Sequence, residues 1–117
     1  MTQENKELLL KDLCARLPYK TYVRCESIQG YYRCSRAKLN GGMIDDFRRD
    51  NRIYKPFLRP MSSMTEEEMV EYKRLCINAA ICNDYQQVDY LNAHYFDYRG
   101  LIPMGLALEA TEDMYKL

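Results

Sequence analysis

The feature that most constrains the fold is a change of apolar period at Pro18. Before it, Leu9, Leu10, Leu13, Cys14 and Leu17 recur at helical spacing along one face, with Lys6, Lys11 and Arg16 placed to face water. Thr2 is the expected N-cap, because its hydroxyl can accept from an amide of the first turn. Proline ends the run. After it, Thr21, Val23 and Cys25 alternate with Tyr22, Arg24 and Glu26, which is the period of a half-buried strand. A chain that switches from one period to the other within a few residues belongs to the α+β class.

The strand signal continues. A turn at Ile28-Gln29-Gly30 and a β-prone run from Tyr31 to Leu39 predict a hairpin. Asn40-Gly41-Gly42 reads as a second turn, with Met43, Ile44 and Phe47 as a third strand beyond it. Arg52 to Leu58 makes a fourth strand, and the prolines at 56 and 60 assign it to an edge. The expectation is a small antiparallel sheet, curled towards a barrel.

Helices follow. Thr65-Glu66-Glu67-Glu68 is a capping box, and its acidic residues complement the helix dipole, so a helix is expected over 65–80. Met69, Tyr72, Cys76 and Ala79 or Ala80 form its apolar stripe. Asn83-Asp84 marks a break before a shorter helix carrying Val88, Leu91 and Tyr95. Asp97 caps one more turn, bounded by Gly100 and Pro103. The tail from Met104 is expected to lie over the surface, partly extended. No repeat or low-complexity linker divides the chain, so residues 1–117 read as a single domain.

Composition narrows the function classes. At 117 residues a chain buries roughly 65% of its unfolded surface, enough for one core without staples. Five cysteines with no C-x-x-C pair read as reduced thiols of a cytoplasmic protein. Their spacings, with His94 as the one histidine, do not match a zinc site, and no cofactor is expected. The longest apolar run, Leu101 to Leu108, is far short of the about 20 residues of a spanning helix, and the polar start lacks a signal sequence. Catalytic signatures are missing: there is no G-x-S-x-G elbow, Gly41-Gly42 lacks a phosphate-loop lysine, and the capping box accounts for the Glu66–Glu68 carboxylates.

Seventeen basic and seventeen acidic side chains cancel overall, but not locally. Residues 18–60 hold ten basic and four acidic groups, a balance of +6, and residues 61–117 hold four and ten, a balance of −6. Two binding readings follow. Tyr90, His94, Tyr95, Tyr98 and Arg99 crowd into one aromatic, cationic segment of the kind that docks a protein partner, and the leucine helix offers a second docking face. Alternatively, Arg24, Arg33, Arg36 and Lys38 interleave with Tyr31 and Tyr32 on predicted strands, a pattern suited to single-stranded nucleic acid. The bland alternative is that the acidic half covers the basic half. Oligomeric state is left open.

The segments Lys55 to Glu68 (KPFLRPMSSMTEEE) and Asp89 to Ile102 (DYLNAHYFDYRGLI), with the opening Leu8 to Tyr19 (LLKDLCARLPY preceded by a further leucine), resemble a family of short uncharacterised proteins encoded in prophages and other mobile elements of gut Bacteroidales bacteria. The resemblance implies a mobile-element origin and a bacterial cytoplasm. It carries no assigned activity or active-site residues, and favours a non-enzymatic accessory protein.

Overall fold

The computed structural model describes residues 1–27, 36–78, 85–111 and 113–115. Helix α1 (Gln3–Arg16) begins where predicted, with the Thr2 hydroxyl accepting from the Asn5 amide at 3.1 Å. Strands β1 (Tyr22–Ser27) and β2 (Ala37–Lys38) are followed by helix α2 (Gly41–Arg48) and strand β3 (Arg52–Leu58). Helices α3 (Glu66–Asn78) and α4 (Tyr85–Ala93) and the short strand β4 (Leu108–Glu109) complete the order. The class is α+β, as the change of period implies.

The sheet is open and mixed, in the order β2-β1-β3-β4. β1 pairs antiparallel with β2 and with β3, whereas β3 and β4 run parallel. Against the edge assignment, the proline-bearing strand has neighbours on both sides. β4 first pairs at Phe57, however, and Pro56 pairs with Val23 of β1 alone, so the proline sits where the strand is locally an edge.

The third predicted strand is a helix. The Asn40 side chain accepts from the Met43 amide at 3.0 Å, so Asn-Gly-Gly here is an N-cap with two permissive residues behind it and not a hairpin turn. Ile44 and Phe47 then fall three apart on one face and are buried. The helix closes on Asp50, whose φ of 60° lets the Asp50 and Asn51 amides reach back to the Phe47 and Asp46 carbonyls.

The core joins Leu9 and Leu13 of α1, Val23 and Cys25 of β1, Ile44 and Phe47 of α2, Tyr54 and Leu58 of β3, and Leu101, Leu106 and Ala107. The leucine stripe of α1 is thus core, although Cys14 and Leu17 are exposed. Arg16 overturns its expected position. It is fully buried beside fully buried Asp12, with Nε donating to Asp12 Oδ2 at 2.8 Å and Nη2 to the Phe96 carbonyl at 2.7 Å. Arg99 Nε donates to the other oxygen, Oδ1, at 3.1 Å.

The tail is fastened by one hydroxyl. Val23 pairs with Pro56, so Tyr22 and Phe57 come next along the same register. Tyr115 Oη bridges them, accepting from the Tyr22 amide at 2.9 Å and donating to the Phe57 carbonyl at 2.7 Å.

Removing one member of a buried ion pair leaves a desolvated charge, so Asp12→Ala is expected to cost about 3–5 kcal/mol in urea unfolding. Cys14→Ala, on the exposed side of the same helix, is expected to stay within about 0.5 kcal/mol. A loss below about 1 kcal/mol for Asp12→Ala would mean that Arg16 does not depend on this carboxylate.

Candidate functional site

Arg59, just beyond β3, gathers the second half of the molecule. Its amide donates to the Tyr95 carbonyl at 2.7 Å and its carbonyl accepts from the Asp97 amide at 2.8 Å, forming a parallel bridge with Phe96. The guanidinium meets Glu68 as a fork, Nη1 to Oε2 at 2.8 Å and Nη2 to Oε1 at 2.7 Å, and lies 4.3 Å from the centre of the Phe96 ring. Nη2 also donates to the Ser63 carbonyl at 3.1 Å. The capping box forms as predicted: the Thr65 amide donates to Glu68 Oε1 at 2.9 Å and the Glu68 amide to the Thr65 hydroxyl at 3.2 Å. The Arg59 hydrogen bonds hold the Glu68 carboxyl far below its ordinary value, at about 2. Partial burial works against them, and the Thr65 amide adds to them.

A cleft of about 570 Å³ opens beside this pair, lined by Arg59, Ser63, Thr65, Glu68, Glu109 and Tyr115 among others. Most of its polar groups are already engaged. Arg59 and Glu68 bind each other, the Ser63 hydroxyl donates to the Pro60 carbonyl, and the Tyr115 hydroxyl serves the sheet. His94 Nδ1 lies 3.3 Å from Glu68 Oε2 and its ring stacks on Tyr90 at 4.2 Å. Among the described residues no cysteine lines the cleft, and no group of His, Cys, Asp and Glu gathers as a metal site. The arrangement is a strut between sheet and helices, without a nucleophile set against a base.

The five residues read as a protein-binding cluster are not one surface. Tyr90 and His94 belong to the Glu68 group, with the Tyr90 hydroxyl donating to the Glu68 carbonyl at 3.2 Å. Tyr95 ends α4 in the left-handed region (φ 65°), where glycine is usual. Its ring stacks on Tyr115 at 3.6 Å, and its hydroxyl donates to the Tyr19 carbonyl at 2.9 Å. Tyr98 donates to Asn92 Oδ1 at 3.0 Å, and Arg99 serves Asp12. All five are half-buried and hold other parts of the chain.

Of the residues read as a nucleic-acid face, Tyr31, Tyr32 and Arg33 lie outside the described residues. Arg24 Nη2 pairs with Glu26 Oε1 at 3.0 Å, and Lys55 reaches Glu26 Oε2 at 3.9 Å. Lys38 is exposed opposite Tyr22 in the β1–β2 pair, and exposed Arg36 lies 5.1 Å from the Tyr22 ring centre. The charge question has a mixed answer: Arg59–Glu68 joins the basic and acidic segments, while Arg24, Lys55 and Arg48 pair within the basic segment itself.

The surface that sequence reasoning missed is the outer side of α3. Glu68, Glu71, Tyr72 and Leu75 are partly covered, so the stripe expected through Met69 and Tyr72 is split: the Tyr72 ring lies 6.1 Å from that of Tyr90, while Met69 is exposed. Cys76, Ala79 and Ala80, the rest of that expected stripe, have side chains outside the description. No described side chain of α3 joins the buried core, and Val70 is 69% exposed with Met69 at 38%. The signal was present: positions 66, 70, 73 and 74 share a face opposite the Arg59-bound Glu68. Protein-family models, curated proteins and solved structures, compared with the chain, yield no match.

Because its folded-state pKa lies below the ordinary 4.5, Glu68 contributes its stability fully above that pH and loses it as the pH falls towards 2. Glu68→Gln is therefore expected to lower stability at pH 7 and to flatten the acid limb of the stability curve between about pH 4.5 and 2. Parallel acid limbs for the two proteins would show that Arg59 leaves this carboxyl unshifted.

Proposed function

We propose that the protein is a non-enzymatic interaction module that docks a protein partner on the outer face of α3. The observation that carries this reading is an element that gives no described side chain to the core yet presents Val70 and Met69 to solvent. Met61, in the turn leading to α3, and Tyr85, at the start of α4, are further exposed apolar side chains. A catalytic reading has no comparable support, since most of the described polar groups around the cleft are engaged within the fold. The resemblance to mobile-element proteins supports an accessory role in a bacterial cytoplasm. Among the described residues no helix is long and apolar enough to cross a membrane.

Crosslinking in cells is expected to trap a discrete adduct that Val70→Glu removes while Tyr98→Ala leaves it in place. The reverse pattern would return the site to the Tyr90–Arg99 segment.

One observation favours a second reading, the binding of single-stranded nucleic acid. Exposed Arg36 lies over the Tyr22 ring, and exposed Lys38 is paired with Tyr22 across the β1–β2 ladder, so cations and an aromatic side chain meet at this edge. Fluorescence anisotropy with a labelled oligothymidylate is expected to report binding at about 50 mM salt that falls at least tenfold by about 200 mM. Arg36→Ala with Lys38→Ala should abolish it. No signal at low salt removes this reading.

A further inference from the structure

We infer that the partner docked by α3 is a second copy of this chain, laid antiparallel across a two-fold axis at Val70. The inference rests on the reading of α3 as an interaction surface and gives that surface an occupant. Over residues 66–74 the exposed stripe is ordered acidic, apolar, basic: Glu66 and Glu67, then Met69 and Val70, then Lys73 and Arg74. Residues 66, 70 and 74 follow the four-residue row of a helix surface, and 67 and 73 flank it.

A two-fold interface requires that each patch complement itself, residue i meeting j while j meets i. With Val70 on the axis, the Glu66–Glu67 end of one copy lies against the Lys73–Arg74 end of the second, and the contact repeats by symmetry. A parallel arrangement would set like charge on like. An unrelated partner imposes no such mirror order, so the pattern favours self-association. Arg74 pairs with Glu71 on its own helix, but Arg74 is exposed and Glu71 only partly covered, and a pair this open to water is worth too little to hold Arg74 back.

The helix is 13 residues long, about 20 Å, and a single pair of such helices covers less than the about 1,200 Å² of a stable complex. The dimer is accordingly weak and concentration-dependent. It also loosens with salt, because its flanking charges are screened.

Sedimentation equilibrium of the purified full chain, from about 10 µM to about 1 mM, is expected to show the average mass rising from 13.9 kDa towards twice that value. Two charge-reversed proteins give the decisive arm. Lys73→Glu with Arg74→Glu makes the stripe acidic at both ends, and Glu66→Lys with Glu67→Lys makes it basic at both ends. Each alone is expected to remain monomeric, and the equimolar mixture to associate at least as strongly as the parent.

Parent protein that stays monomeric throughout overturns the inference. So does a mixture that fails to associate while both variants keep parental helicity by circular dichroism. If a variant loses helicity, the parental concentration series decides. A monomeric parent whose cellular adduct is still removed by Val70→Glu overturns only the second copy as occupant. A monomeric parent whose adduct is indifferent to Val70→Glu removes the α3 face altogether.

Discussion

The fold depends on a carboxylate that has no access to water. Asp12 sits on the inner side of α1 with Arg16 one turn later, and Arg99, distant in sequence, takes its second oxygen. Two guanidinium groups on one carboxylate leave a positive excess, and Arg16 Nη1 finds no acceptor among the described residues. The Tyr98 ring, about 5 Å from both guanidinium carbons, supplies the compensating negative face. An apolar cluster of the same volume could be as stable or more so. What the ionic cluster adds is direction: Arg16 also donates to the Phe96 carbonyl, so α1 accepts the 96–99 segment in one orientation.

Phe96 passes that constraint on. Its backbone bridges to Arg59, and its ring lies under the Arg59 guanidinium, which grips Glu68 at the start of α3. One chain of contacts thus runs from α1 through the turn after α4 to the end of β3 and the cap of α3. Tyr115 completes it from the far side by stacking on Tyr95 and bridging Tyr22 with Phe57. Tyr95 holds a left-handed conformation that costs a bulky side chain roughly 1–2 kcal/mol, and its stacking and its bond to the Tyr19 carbonyl offset that cost.

Features written in local sequence were legible. Thr2 capping α1 and the Thr65–Glu68 box depend on residues three positions apart, and β3 on one unbroken run of seven. Asn40-Gly41-Gly42 misled because the same three residues serve a hairpin or an N-cap, and the choice falls to the burial of Ile44 and Phe47, which is tertiary. Arg16 misled because an Asp–Arg pair four apart is ordinarily a surface pair. Only its contact with Phe96, eighty residues on, moves it inside. Of the candidate site, the aromatic density of 90–99 was visible, but its partners Asp12, Tyr19 and Tyr115 were not, because no local pattern announces them.

The same logic explains why α3 is the surface left over. The segment richest in aromatic and cationic side chains turns these groups inward, where each satisfies a buried or half-buried partner, and that consumes the features that made it look like an interface. The charge asymmetry is spent similarly. Glu26 takes Arg24 and Lys55, and Glu68 takes Arg59, so these three of the described cations in residues 18–60 are already paired. Helix α3 keeps its outward residues because Arg59 secures it by one carboxylate on its inner side and asks nothing of Val70. Its inner side is held by the Arg59 fork and by Tyr90, which meets the Glu68 carbonyl and the Tyr72 ring, and it is this one-sided attachment that leaves Met69 and Val70 in water.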